Sequence, residues 1–273
     1  VTLEKVPEKI ISLAPSSTEI LFALGLGDKV VGVTQYCNYP PEAQDKPKIG
    51  GFSPTDIDVS IEQIVAIEPD LILTTETHLS EVIPKLEQFA PEAAILVLMT
   101  QTETFGVVFE AINLVGKCTG TGDEASQLVS EMGNRIKAVT DITDDLSDSE
   151  RPKVFYIVWH DPIFAIGGGT LGNTLIEAAG GVNIFQELIG APVVDLETII
   201  DLNPDVILGS AAVGTGADLA YQFALNEERL NTVNARINNR VYAVNDDLTG
   251  RPGPRIVEAL EQLAEMIHPE IFK

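Results

Sequence analysis

The chain has 273 residues, of which 45% are hydrophobic and 21% charged, and this length suffices for one large domain or two ordinary ones. The 41 acidic residues against 17 basic ones give a formal charge of -24, which would repel nucleic acid and anionic lipid but could attract a basic partner surface. Two cysteines are too few for a disulfide scaffold, and no apolar run reaches the ~18 residues of a membrane span.

The first predicted elements are a strand at residues 9–13 and a helix that ends at Gly25. Ser16 or Ser17 is the expected N-cap of that helix, because a side-chain oxygen there can accept a hydrogen bond from the first turn. The chain begins Val-Thr-Leu-Glu-Lys, without an apolar leader segment, and a mature form from which a leader had been removed would begin in the same way.

A thirteen-residue segment occurs twice, at 61–73 and at 196–208, with six identical positions. Each copy predicts a short helix with one apolar face, a Pro-Asp turn and a strand buried on both faces. Because a strand, a loop and a helix precede each copy, the sequence predicts two α/β lobes with mainly parallel sheets.

The region between the copies has a different pattern. Residues 104–116 predict an amphipathic helix, Gly120-Thr121-Gly122 breaks it, and Asp123 is expected to cap a second helix that runs to about residue 139. The predicted division is an N-terminal lobe at 1–116, a bridging helix at 117–150 and a C-terminal lobe at 151–273.

The second lobe is predicted to contain a strand at 153–158, a helix from Asn173 that ends at Gly180-Gly181, and a last helix at about 254–267. Residues Gly167-Gly168-Gly169 lack the spacing and the Gly-Lys-Ser/Thr ending of a phosphate loop. They are therefore expected to form a flexible turn.

Several of these stretches resemble the class III substrate-binding proteins of ABC importers, the group that serves cobalamin, siderophores and haem. The stretches that carry the resemblance are residues 11–19, 31–34, 39–41, 67–72, 180–185 and 251–255. Cobalamin-binding members are the nearest likeness, through Thr18-Glu19 and Tyr39-Pro40-Pro41.

The resemblance implies a fold and a function. Two α/β lobes with mainly parallel sheets would be joined by a long bridging helix and would hold a corrinoid in the cleft between them. The protein would be an extracytoplasmic monomer, free or lipid-anchored, without a cofactor of its own. It would deliver its ligand to an ABC permease dimer with its ATPase. A ferric siderophore or haem is the alternative ligand.

Loops that follow strands supply the expected ligand contacts, as in other α/β sheets. In the first lobe these loops hold Ser16, Ser17, Gln35, Tyr36, Cys37, Phe52, Thr75 and His78, and in the second they hold Trp159, His160, Ser210, Asp247 and Arg251. Ligand-binding roles are assigned to Tyr36, Cys37, Phe52, Thr75, Trp159, His160, Asp247 and Arg251. Thr75 departs from the cobalamin-binding pattern, which has a Trp at that position.

Six of these residues have two interpretations each. Tyr36 and Phe52 either contact the ligand or are packing residues. Trp159 either stacks on a planar ligand or packs against the end of the sheet. Cys37 and His160 either ligate a metal centre within the ligand or are an ordinary buried thiol and a surface histidine. Arg251 either contacts an anionic ligand group or forms a structural ion pair. The three histidines show no metal-binding spacing, so no protein-built metal site is expected.

In the family that this chain resembles, an acidic residue on each lobe contacts arginines of the permease. The resemblance implies Glu81 and Asp218 as the corresponding acidic residues here. An enzyme is a rival interpretation, but no Gly-x-Ser-x-Gly elbow and no set of cluster-ligating cysteines occurs. A ligand sensor of the same fold is a second rival, which the sequence does not separate from an importer component.

Overall fold

The computed structural model describes residues 5–53, 56–99, 104–211 and 219–272. Contacts within the chain divide it into two compact units. The first comprises residues 1–100 and 106–131, and the second comprises residues 101–105 and 132–273.

The first unit alternates strands with helices. Its strands are β1 (Ile10–Ser12), β2 (Val30–Val33), β3 (Gly50–Ser53), β4 (Asp56–Val59), β5 (Leu71–Thr75) and β6 (Ala94–Leu98). Its helices are α1 (Pro15–Ala23), α2 (Ile61–Ile67), α3 (Ile83–Phe89) and nearly all of α4 (Phe105–Thr119). The division between the units falls at residues 131 and 132, inside the continuous helix α5 (Gly122–Thr143).

The second unit repeats this alternation after α5. Its strands are β7 (Lys153–His160), β8 (Ile163–Ala165), β9 (Val182–Asn183), β10 (Val206–Ala211) and β11 (Val241–Asn245). Its helices are α6 (Leu171–Ala178), α7 (Leu196–Leu202), α8 (Leu219–Asn226), α9 (Asn234–Ile237), α10 (Asp246–Thr249) and α11 (Ile256–Ile267).

The two main sheets share one strand order. The first runs β2-β1-β5-β6, and all of its pairs are parallel. The second contains the corresponding parallel series β9-β7-β10-β11, to which β8 adds an antiparallel pair with β7. The α/β class with mainly parallel sheets is thereby confirmed, and β3 and β4 form a separate antiparallel hairpin.

The repeated sequence forms the same local structure in both units. The Asp70 Oδ2 atom accepts a hydrogen bond from the Lys9 backbone N–H at 2.9 Å, and Asp205 Oδ2 accepts one from the Lys153 N–H at 3.0 Å. Each lysine Nζ then donates to a carbonyl at the end of the repeat helix, at 3.1 and 3.2 Å respectively. In both units, therefore, the Asp and the Lys join the repeat to the start of the preceding strand.

The expected N-cap of α1 is wrong. The helix begins at Pro15 with Ala14 at the N-cap, no side chain caps it, and Ser16 and Ser17 are buried in its first turn. Proline is favoured at the first helical position because its fixed φ suits the helix and its missing N–H would have no partner there. Pro15 was therefore the residue that marked the start of the helix.

The expected flexible turn at Gly167-Gly168 is also wrong. The backbone N–H of Gly167 donates to the Gly190 carbonyl at 2.8 Å, and that of Gly168 donates to the Leu188 carbonyl at 2.7 Å. A Cβ atom on Gly167 or Gly168 would lie 2.1 Å from a carbonyl oxygen of the neighbouring segment, on Leu188 or Gln186 respectively. These glycines permit close backbone pairing, which a side chain would prevent.

Candidate functional site

The loops expected to contact a ligand follow the carboxyl ends of the parallel strands. In the first unit these are the ends of β1, β2 and β5, and in the second they are the ends of β7, β10 and β11. Parallel strands place their carboxyl ends at one edge of a sheet, where α/β proteins bind ligands. Each of the two main sheets therefore has one such edge.

Cys37 is fully buried at the edge of the first sheet. Its Sγ atom lies 3.1 Å from Thr18 Oγ1 and 3.2 Å from Thr34 Oγ1, and Thr18 Oγ1 also donates to Ser12 Oγ at 2.8 Å. The thiol thus links the loop after β2 to helix α1. Because protein atoms enclose the thiol, it presents no surface to a ligand.

The other first-unit candidates differ in exposure. The exposed fraction of Tyr36 is 43%, whereas Thr75 is buried with its hydroxyl 2.6 Å from Thr77 Oγ1. The side chain of Phe52 lies outside the described part of the structure. His78 is buried with its Nδ1 atom 2.7 Å from Thr74 Oγ1, and burial lowers its pKa despite the nearby Glu76 carboxylate. Tyr36 is therefore the exposed aromatic candidate of this edge.

Trp159 does not plug the end of the second sheet, because 43% of its surface is exposed. Its indole Nε1 donates to the Asp161 carbonyl at 2.9 Å. In the sheet, Trp159 pairs with Phe164 of β8, and Phe164 forms an antiparallel bridge with Val193, which is 59% exposed. Directly opposite residues of antiparallel strands lie on the same face, so these three side chains form an apolar row, which we call the Trp159 row.

His160 ends β7 beside the Trp159 row. Its ring centroid lies 5.1 Å from that of Trp159 and 5.9 Å from that of Phe223 on α8, with interplanar angles of 47° and 37°. The Nδ1 atom is buried and has no hydrogen-bond partner among the described residues. The imidazole is therefore held by aromatic contacts and by no described polar one.

Arg251 forms an ion pair with Asp247 of α10, and both side chains are largely buried. The Arg255 Nη2 atom also donates to the Asp247 carbonyl at 3.5 Å. The structural interpretation of Arg251, an ion pair with a carboxylate, is thus realised. To bind an anionic ligand group, the Arg251 guanidinium would either contact the ligand in addition to the Asp247 carboxylate or exchange that carboxylate for the ligand group.

A polar cluster that the sequence analysis missed lies beside this ion pair. The Tyr156 hydroxyl is 2.8 Å from Thr249 Oγ1, and both residues are buried. Burial raises the pKa of Tyr156, and the Asp246 charge raises it further. Burial likewise raises the pKa of the Asp246 carboxyl, and the neighbouring Asp247 charge raises it further. The only sequence signal was the position of Ser210 and Asp246 at the ends of β10 and β11.

Of the docking candidates, Glu81 is exposed in the turn between β5 and α3. Asp218 lies outside the described residues. Within the described ranges, no three His, Cys, Asp or Glu side chains converge on a potential metal position. None of the described helices combines the length and apolar character needed to cross a bilayer.

Comparison with known proteins gives a consistent family. The profile of the family described as periplasmic binding protein matches residues 10–248. The chain is 34% identical to the uncharacterized ABC transporter substrate-binding lipoprotein YvrC of Bacillus subtilis, over 100% of this chain and 84% of that protein. It is 30% identical to a cobalamin-binding protein of Halobacterium salinarum, over 98% of this chain and 71% of that protein.

Solved structures agree with these relatives. One, of a possible iron-binding, periplasmic solute-binding protein from Staphylococcus epidermidis, superposes with a TM-score of 0.80 at 27% identity. The match covers 97% of this chain and 100% of that chain. The similar proteins are thus substrate-binding or solute-binding proteins, and the ligands in their names differ.

Proposed function

The chain belongs to the periplasmic binding protein family, and we propose that it is the extracytoplasmic component of an ABC importer that captures a corrinoid. The ligand would be delivered to a permease dimer with its ATPase. We propose further that the protein acts as a monomer, free or lipid-anchored, and that it catalyses no reaction. The named cobalamin-binding relative supports the choice of ligand.

The Trp159 row is the observation that carries this proposal. It presents an indole, a phenyl ring and an exposed Val193 side chain on one face at the carboxyl edge of the second sheet. A large, flat ligand would remove this apolar surface from water and stack on the indole, which contributes about 0.5–1.5 kcal/mol beyond the area term. An exposed row of this kind at a sheet edge suits a macrocycle better than a small ion.

Polar contacts would come from the segment after β11 in the second unit, where the Arg251–Asp247 pair is the proposed partner for polar groups of the ligand. A guanidinium suits this role because its paired N–H donors match the geometry of a ligand carboxylate or phosphate. Tyr36 of the first unit remains a predicted contact from the sequence. Phe52 and Thr75 likewise remain predicted contacts from the sequence.

A ferric chelate or haem is the second candidate, supported by the iron-binding description of the S. epidermidis protein. The exposed Tyr36 phenol supports it as well, because tyrosine oxygen is an established ligand of ferric haem. A sensor that reports occupancy to a membrane receptor would use the same binding site. Measuring import separates the sensor from the importer component.

Binding of cyanocobalamin, ferric haem and ferric siderophores to the purified protein tests the proposal by isothermal titration calorimetry. We expect saturable binding of cyanocobalamin, weakened by Trp159→Ala and largely retained by Trp159→Phe. Equal affinity of the wild type and Trp159→Ala for cyanocobalamin would remove the Trp159 row from the site.

The docking residues are tested by reversing their charges. We propose that Glu81 and Asp218 contact basic permease residues, so Glu81→Lys combined with Asp218→Lys should abolish uptake while ligand binding stays unchanged. Glu87→Lys is a matched control, because Glu87 is also an exposed acid of the first unit. Normal uptake by the double variant would refute the two-point docking proposal.

A further inference from the structure

His160 has an unusual distribution of polar contacts for a residue at a binding edge. Its Nδ1 atom is buried without a hydrogen-bond partner, and no described residue hydrogen-bonds to either ring nitrogen. Among the described residues, burial without a hydrogen-bond partner affects the Nδ1 atom of this imidazole but not its Nε2 atom. The two nitrogens are therefore in different surroundings, and that difference decides which of them carries the proton.

A neutral imidazole has one N–H donor and one acceptor nitrogen. A donor placed on Nδ1 would be a buried N–H without an acceptor, an arrangement that is rarer in proteins than an under-satisfied acceptor. The rings of Trp159 and Phe223 do not supply a substitute acceptor. They are tilted by 47° and 37°, whereas an N–H aimed at a ring face requires nearly perpendicular planes.

We infer that His160 is held as the Nε2–H tautomer and presents this N–H, beside the Trp159 indole, to a hydrogen-bond acceptor of the ligand. The acceptor would be an amide carbonyl, carboxylate or phosphate oxygen on the periphery of the ligand. The inference rests on the proposed function for the location of the ligand, but the tautomer itself does not depend on it.

The same geometry argues against His160 as a metal ligand. A histidine that ligates a metal through Nε2 carries its proton on Nδ1 and almost always donates it to a carboxylate, a carbonyl or water. The buried Nδ1 of His160 has no such acceptor among the described residues. His160 is thus expected to donate a hydrogen bond to a peripheral acceptor of the ligand. Coordination of a metal by this imidazole is disfavoured.

The tautomer can be measured without any ligand. Multiple-bond proton–nitrogen NMR of the ¹⁵N-labelled protein distinguishes a protonated nitrogen from an unprotonated one in each imidazole. His160→Gln assigns the His160 signals by their disappearance. We expect a protonated Nε2 and an unprotonated Nδ1 for His160. A protonated Nδ1 would overturn the inference whatever the protein binds.

Two substitutions separate donation from coordination. The side-chain amide of His160→Gln can place an N–H near the position of imidazole Nε2, whereas His160→Phe keeps a ring and removes both nitrogens. For cyanocobalamin we expect His160→Gln to bind nearly as the wild type and His160→Phe to lose roughly 3- to 10-fold in affinity, the effect of one neutral hydrogen bond. Melting temperatures of both variants show that they fold.

Aquacobalamin, whose axial water can exchange for imidazole, tests coordination directly. We expect its visible absorption spectrum on the wild type to match that on His160→Gln. A spectral change on the wild type that His160→Gln abolishes would establish coordination and overturn the inference. If the wild type binds neither corrinoid, the proposed function fails, and the NMR experiment alone then decides the tautomer.

Discussion

Replacing Gly167 by Ala perturbs the backbone pairing that supports the edge carrying the Trp159 row. The added Cβ atom would lie 2.1 Å from the Leu188 carbonyl oxygen and 3.0 Å from that of Gly190. Ordinary van der Waals contact starts at 3.4 Å, so the segment around Leu188 would have to move away by about 1 Å. Backbone atoms cannot rotate aside as the end of a flexible side chain can.

The hydrogen bonds across this contact set the size of the effect. They are Gly167 N–H to Gly190 O at 2.8 Å, Gly168 N–H to Leu188 O at 2.7 Å and Gly190 N–H to Gly168 O at 2.9 Å. A shift of about 1 Å carries these pairs beyond hydrogen-bond distance, and each bond contributes about 1 kcal/mol net. We therefore expect Gly167→Ala to lower the free energy of unfolding by about 2–3 kcal/mol.

Urea unfolding followed by fluorescence measures this effect, because Trp159 is the only tryptophan and reports on the second unit. Gly133→Ala is the matched control. Gly133 lies inside α5, and a Cβ atom there would meet nothing within 4 Å, so the substitution should stabilise by up to about 1 kcal/mol. Wild-type stability of Gly167→Ala, or equal effects of the two substitutions, would refute the reasoning.

Three further predictions concern the second unit. Thr170→Ala removes the N-cap hydroxyl of α6, which accepts a hydrogen bond from the Asn173 N–H at 3.1 Å. The substitution should lower the free energy of unfolding in urea by about 1 kcal/mol, whereas Thr170→Ser should remain close to wild type. Equal stability of all three proteins would contradict this prediction. Burial raises the pKa of Asp246, so its contribution to stability is present below the unfolded pKa and is lost as pH rises through the folded pKa. Asp246→Asn should therefore be more stable than wild type near pH 7 and have a flatter pH profile, and an unchanged profile would contradict this. Trp159→Ala should weaken cyanocobalamin binding by about tenfold or more in calorimetry, whereas Trp159→Phe should weaken it less.

The repeated segments were the most informative part of the sequence. The Pro-Asp turn that ends each helix, at Pro69-Asp70 and Pro204-Asp205, correctly located β5 and β10. This succeeded because helix termination by proline and burial of a short apolar strand are local effects. The parallel sheets followed from the alternation of strands with helices.

The misassigned elements depended on long-range contacts or on competing local signals. Gly167 and Gly168 pair with residues about twenty positions later in the chain, and no local composition distinguishes such close pairing from a turn. At α1, two serines masked the stronger signal of Pro15.

The candidate site was harder to predict than the fold, because exposure depends on tertiary packing. Position after a strand selected both Trp159, which is exposed, and Cys37, which is fully buried. Phe164 and Val193 were missed because they join the Trp159 row only through antiparallel pairing of β8 and of a later segment.

Titration of the wild-type protein with cyanocobalamin determines whether this binding protein binds a corrinoid. Calorimetry at neutral pH, with ferric haem and ferric siderophores measured in parallel, gives affinity and stoichiometry without interference from ligand colour. We expect saturable binding of one cyanocobalamin per chain with a dissociation constant of about micromolar or lower, tighter than that of any iron chelate. Tight binding of haem or of a ferric chelate without saturable binding of cyanocobalamin would contradict it.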